Sequence, residues 1–417
     1  MDYRILYALI LGVLSFDFIL ERVLNFLNAS RMSKVLPTEL QGLYDEEKYQ
    51  KQQAYERENN SFSLLTSSFS FIIIIIMLVF GGFDFVDSIV RSFSNNAIIQ
   101  ALLFFGILLF ASDIINMPFE IYDTFVIETK YGFNTTTVKT FVLDKLKGWL
   151  LGGVLGGGLL ALIIWLITTF PTTFWIYAWI VVAFIAVFMA MFYSSLIVPL
   201  FNKQTPLEDG VLKSAITLFS EKVGFKLHNI FLIDGSKRST KANAYFSGLG
   251  AKKRIVLYDT LVNDMNEKEI VAVLAHEIGH YKKKHVLMMI AFSILQTGLL
   301  FFILGFFVNQ PVLSMALGAS HHSIHMALIA FAILYTPLSF LLGIIVNIIS
   351  RKNEFEADTF AAVNYDPKEL QSALKKLSVK NLSNLTPHPL YVFFNYSHPP
   401  LLERLRNLAS IKNATHQ

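Results

Sequence analysis

A chain of 417 residues that is 54% hydrophobic and only 16% charged, with a mean hydropathy of +0.51, lies outside the range of a water-soluble domain and points to a polytopic membrane protein. Its formal net charge of +4 is small for this length, and runs such as Lys282-Lys283-Lys284 read as anchoring beside a membrane, so no nucleic-acid partner is inferred. There is no cysteine, which excludes disulfides, thiolate metal sites and a thiol nucleophile, so any metal must be held by His and carboxylate.

Apolar runs long enough to cross a hydrocarbon layer of about 30 Å fall at about 5–27, 64–86, 97–119, 149–170, 174–199, 286–308 and 324–349. The first carries Asp17, Glu21 and Arg22 with no small-residue cleavage site, so it reads as a retained helix and not a signal peptide. The 28–63 connection holds Arg31, Lys34, Lys48, Lys51 and Arg57, and the 120–148 connection holds Lys130, Lys139, Lys145 and Lys147. By the positive-inside rule both are cytosolic, and the alternation then places 200–285 and 350–417 on the same side. The resulting organisation is a membrane region of five spans (1–199), a cytosolic insertion (200–285), two further spans (286–349) and a C-terminal cytosolic region (350–417). The expected fold is an all-α polytopic membrane protein of seven helices with a small α+β insertion facing the cytosol, bilayer-embedded and monomeric.

Within the insertion, 206–224 reads as an amphipathic helix. Ile230 to Ile233, Ala242 to Phe246 and Arg254 to Tyr258 read as short strands, with Gly248, Gly250 and Lys252-Lys253 turning between the last two. An exposed strand can hold an extended peptide through its backbone, which makes Asn243, Ala244 and Tyr245 a candidate substrate edge; a purely packing strand is the competing reading. Asn266 followed by Glu267-Lys268-Glu269 is a helix start with a capping box. No proline intervenes before Phe307, so this helix is expected to run on into the sixth span.

That helix carries His276-Glu277-Ile278-Gly279-His280, in which two imidazoles four residues apart share one face and take two corners of a zinc tetrahedron, with Glu277 beside them as general base. A catalytic zinc generally takes a third protein ligand. Glu354 and Asp358 share a face on the continuation of the seventh helix, Glu354 as third ligand and Asp358 as the carboxylate that orients a ligand His, while Glu356 points away. His285, nine residues from His276, falls on the opposite side of a continuous helix and is a poor ligand. His321, His322 and His325 read as loop residues across the membrane, and His228 and His388 stay unassigned. Near the end, His398 precedes Pro399-Pro400, and His398 or Arg404 is either an electrophilic donor to an oxyanion or a surface residue.

With these pieces in place the chain resembles the type I CAAX prenyl protease family, integral membrane zinc metalloproteases known from a-factor and prelamin processing. The resemblance spans nearly the whole chain: the seven spans, the His276 to His280 motif, Glu354-Phe355-Glu356-Ala357-Asp358, Tyr396 through Leu405, Glu128-Thr129-Lys130-Tyr131-Gly132-Phe133-Asn134 and Asn243-Ala244-Tyr245-Phe246. It implies one Zn2+ per chain on His276, His280 and Glu354, Glu277 as base, a peptide aligned by Asn243 and its strand, and His398 and Arg404 lining the cleft. It also implies a hollow chamber among the helices and C-terminal CAAX-box processing of a peptide or protein that is lipidated or membrane-associated. The compact form suggests a bacterial cytoplasmic membrane, or the endoplasmic reticulum in a eukaryote.

Three rivals are weighed against this. A quality-control protease of the HtpX type shares the motif but is shorter, with fewer spans. A site-two protease would place the motif inside a span. A scaffold or transporter with structural zinc would have no need of Glu277.

Overall fold

The computed structural model describes residues 2–32, 40, 42, 45–226, 229–249 and 253–414, so the features expected at Lys34, His228, Gly250 and Lys252 lie outside the described residues. Among the described residues, seven helices are long and apolar enough to cross a membrane: Tyr3–Ser30, Glu46–Val79, Ala97–Glu128, Val138–Thr169, Phe174–Phe201, His285–Phe307 and Ile324–Asn364. Their most apolar stretches are only 6–22% buried within the protein. In water that much exposed apolar surface would drive aggregation, whereas in lipid it is the outer face of helices whose backbone groups are already bonded internally. The second span stops short of the end of its apolar run. It ends at Val79, Gly81 turns the chain in the left-handed region (φ 68°), and Gly82–Phe93 forms a separate helix.

The spans pack in chain order and the seventh returns to the first, with Phe62 and Phe69 of the second set against Phe119 of the third. The seventh span also touches the third, so the spans surround the space between them. Part of that space is a cavity of about 520 Å³ lined by residues of the first, fourth, sixth and seventh spans, Asp17 and Tyr335 among them.

The bundle is tied across one end. Asp87 Oδ1 accepts from Ser323 Oγ at 2.8 Å and from His325 Nε2 at 2.6 Å, and Arg91 Nε donates to Asp87 Oδ2 at 2.7 Å. His325 is therefore a buried residue in the first turn of the seventh span and not a loop residue, because Asp87 supplies a partner that its sequence neighbours do not.

The insertion begins with β1 (Gln204–Pro206), followed by a helix over Val211–Lys222, then β2 (Ile230–Ile233), β3 (Ala244–Ser247) and β4 (Arg254–Tyr258). The sheet order is β1-β2-β4-β3, with β2 parallel to β4 and β3 antiparallel to it, Ala244 opposite Leu257 and Ser247 opposite Arg254. β1 was not expected, since three residues are too few for a period to show. β3 lies at the end of the sheet and pairs on one side only. Ile255 and Leu257 pack with Ile270, Leu274 and Ile278 of the next helix, with Ala361 from the end of the seventh span, and with Leu370 and Leu408 from the C-terminal helices. This shared core brings the C-terminal region against the insertion.

Candidate metal centre

The helix Glu267–Lys282 starts where its cap predicts. Asn266 Oδ1 accepts from the Glu269 backbone N–H at 2.9 Å, and Glu269 Oε2 accepts from that of Asn266 at 2.9 Å. Ser372 and Lys376 also donate to the buried Glu269 carboxylate, which fixes the helix against Pro367–Lys380. Ten of its sixteen residues are buried, so the helix is enclosed on nearly every side.

Gly279 sets the approach of this helix to the one carrying Glu354. A Cβ there would lie 3.1 Å from Ala357 Cα and 3.2 Å from Ala357 O, both backbone atoms that cannot swing aside. A larger residue would push the two helices apart by a few tenths of an ångström, and this close contact brings the two sets of side chains together.

His276 Nε2 and His280 Nε2 lie 3.1 Å apart, His280 Nε2 is 3.2 Å from Glu354 Oε1, and His276 Nε2 is 3.4 Å from Glu354 Oε2. A tetrahedral ion with ligand bonds of about 2.0–2.1 Å separates its ligand atoms by about 3.3 Å, so the three groups fit a single cation. The fit has further support, because Glu354 Oε2 is buried and accepts no hydrogen bond, with Arg404 Nη1 and His276 Nε2 each 3.4 Å away, which leaves it able to take a cation. The Nε2 atoms face inward while each Nδ1 is backed by another residue, the arrangement that orients a metal-ligating imidazole.

For His276 the backing group is Asp358, whose Oδ1 is 2.9 Å from Nδ1. Burial pulls the His276 pKa down, but the hydrogen bonds to Asp358 and Glu354 outweigh it and push it up to about 9. For His280 the backing group is His285, whose Nδ1 lies 3.0 Å from His280 Nδ1 and whose Nε2 lies 3.2 Å from Glu356 Oε2. His285 lies outside the group of three close ligand atoms but backs His280, and Glu356, turned away from Glu354 and Asp358, in turn holds His285. The expected continuous helix breaks at Lys284, which sits in the left-handed region (φ 61°), and the sixth span starts afresh at His285. The only sequence signal for the break was three lysines meeting the membrane boundary.

Arg404 is largely enclosed, its side chain 11% exposed, and clamped to Asp358, with Nε–Oδ2 2.9 Å and Nη2–Oδ1 2.6 Å, while its Nη1 lies 3.4 Å from Glu354 Oε2. Burial opposes its charge, but Asp358, Glu354 and Glu277 more than offset this and raise its pKa. It is not a surface residue. His398 Nδ1 lies 3.0 Å from Glu354 Oε1, and its ring is largely exposed at 66%. Glu277 is half-buried beside Arg404 and makes no hydrogen bond within the described residues. Asn243 is exposed at the start of β3. Its Oδ1 accepts from the Ala244 N–H at 2.8 Å, and its carbonyl accepts from the Tyr258 N–H at 3.1 Å. Ala244 and Tyr245 lie half-buried on the unpaired edge, with the Tyr245 hydroxyl 3.3 Å from Ser194 Oγ. His388 caps a short helix by accepting from the Leu390 N–H.

Known proteins share both halves of this architecture. The family model described as CAAX prenyl protease N-terminal, five membrane helices, matches residues 25–203, and that described as Peptidase family M48 matches residues 206–412. The chain is 35% identical to CAAX prenyl protease 1 of Saccharomyces cerevisiae over 94% of its length and 92% of the relative's. It is 31% identical to the Homo sapiens CAAX prenyl protease 1 homolog, covering 90% and 89%. The crystal structure of S. mikatae Ste24p superposes with a TM-score of 0.92 at 33% identity, over 97% of this chain and 99% of that one. The chain therefore belongs to the M48 peptidases, in the CAAX prenyl protease family, and is an integral, multi-pass membrane metalloprotease that hydrolyses peptide bonds with a bound metal ion.

Proposed function

We propose that the metal is zinc, one ion per chain, held by His276, His280 and Glu354, and that the chain cuts lipidated or membrane-associated peptides near their C-terminal CAAX box. The observation that carries this reading is the set of three mutually close ligand atoms beside a carboxylate, Glu277, that makes no hydrogen bond among the described residues. Zinc in such a site supplies Lewis acidity toward water and the scissile carbonyl.

The residues of the chain do the rest. The unpaired edge of β3, at Asn243, Ala244 and Tyr245, aligns the peptide by backbone hydrogen bonds. Glu277 accepts a proton from the attacking water and returns it to the departing amine nitrogen. His398, whose Nε2 is free to turn toward the cleft, donates to the oxygen on which negative charge develops. Arg404 holds Asp358, and through it the ring of His276, while its Nη1 faces the site. Asp358 and the His285–Glu356 pair hold the two ligand imidazoles in register.

All the ligands come from one chain, which supports a monomeric enzyme. The Lys and Arg distribution supports a cytosol-facing site. The relatives reported above are a yeast and a human protein, so the bacterial source rests on the compactness of the sequence alone. The seven spans and the match over nearly the full length favour this family over a shorter quality-control protease.

The reading is tested with purified protein in detergent and a quenched prenylated CAAX peptide. Elemental analysis should find about one zinc per chain, and a chelator should stop cleavage. Glu277→Gln should keep the zinc and lose about 10³-fold or more in kcat. Near-normal turnover in that variant sinks the assigned base.

A further inference from the structure

Beside the metal centre, on the His398 side, lies a crevice of about 450 Å³ whose walls include Tyr55, Glu56, Tyr391 and Tyr396 and which reaches His398 and Arg404. Glu56 is the unusual member. Its Oε1 receives only two long contacts, from Asn28 Nδ2 at 3.5 Å and Asn384 Nδ2 at 3.4 Å. Among the described residues its Oε2 accepts no hydrogen bond and meets no Lys, Arg or His in an ion pair, and it remains open to solvent. The other carboxylates near this wall are matched, since Asp358 is held by Arg404 and His276, and Glu354 by the two ligand histidines and His398.

The charge balance points the same way. With a divalent cation on its ligands, Glu277, Glu354 and Asp358 together offset that cation and Arg404. Glu56 is left as the unbalanced charge of the crevice. Keeping a half-buried carboxylate with so few donors costs free energy, and a bound cation would recover it. Tyr391 and Tyr396 also line the walls, and aromatic rings suit the same charge. An acidic side chain would be repelled, and an apolar one would leave Glu56 desolvated and unpaired.

We propose that this crevice is a specificity subsite that takes a Lys or Arg side chain of the peptide substrate, with Glu56 as its counter-charge. The proposal rests on the endopeptidase reading above and names a preference that the zinc chemistry does not require. A site built around one charged group discriminates strongly against analogues lacking its partner, because the mismatch strands that group.

The test uses the full-length enzyme and a panel of quenched peptides carrying Lys, Met or Glu singly at each of the three positions on either side of the scissile bond. At one position Lys should exceed Met by about tenfold or more in kcat/KM, with Glu lowest. Glu56→Gln should bring the Lys-to-Met ratio at that position to about one, Glu56→Lys should invert it in favour of Glu, and Glu56→Asp should retain part of it. A panel with no Lys preference at any position overturns the proposal without recourse to any variant, as does a preference unchanged in Glu56→Gln. Failure of the unmodified enzyme to cut any peptide would overturn the endopeptidase reading as well, which separates the two failures.

Discussion

Two helices that nearly touch end to end, Glu267–Lys282 and His285–Phe307, are held in place by different forces. The first buries ten of its sixteen residues against protein, while the second, twenty-three residues long, buries only His285, Gly298, Phe301 and Leu304. The metal helix is located by close packing, where a shift of a few tenths of an ångström is felt. The sixth span is located by hydropathy, which fixes its depth but leaves most of its outer face without protein contacts. Chemistry sits on the first kind of helix because the ligand atoms must be held close to their working geometry.

This contrast can be broken at the metal helix and should hold at the span. The largest effect is expected at the ligands: Glu354→Ala should lose the metal, read by elemental analysis, because it leaves two imidazoles and no charged donor. Asp358→Asn should next cost about 10–100-fold in metal affinity, measured by chelator competition, through loss of the group that orients His276.

The same pair gives a pH dependence. His276 in the metal-free chain keeps a proton up to pH about 9, so metal binding at lower pH must displace it. Apparent affinity should therefore rise as pH increases toward 9, by up to roughly tenfold per unit, with proton release measurable by calorimetry in buffers of different ionisation enthalpy. In Asp358→Asn the raised pKa loses its main support, and the rise should level off at lower pH.

A smaller effect is expected from Gly279→Ala, which must force the metal helix off Ala357. It should cost about 1–3 kcal/mol in thermal stability and weaken metal binding. Smallest of all is Leu295→Ala on the exposed face of the sixth span, expected to change stability by about 0.5 kcal/mol or less. A loss there as large as that from Gly279→Ala would show that the span is also held by packing.

Much of the site was legible because it obeys local periods. His276 and His280, and Glu354 and Asp358, are each four residues apart on a helix, so their shared faces follow from helix geometry without any knowledge of the fold. The capping box at Asn266 and Glu269 is local in the same sense. His285 was placed on the far side of a continuous helix because one left-handed residue, Lys284, resets the helical phase there, and Glu356, turned away from Glu354 and Asp358, meets His285 as a result. Arg404 was left open as a surface residue because its burial depends on Asp358, forty-six positions away.

The amino-acid order alone determined the seven apolar lengths, the absence of thiol chemistry and the helical spacing of the proposed ligands, since each depends on neighbours within a turn or a run. Tertiary structure decided how closely Gly279 lets two helices meet, where Lys284 turns the chain, that His325 is buried on Asp87, and that Glu56 faces a crevice with one oxygen unpaired. Those outcomes depend on contacts between residues distant in the chain and on the sign of a single backbone angle, and neither is carried by local spacing.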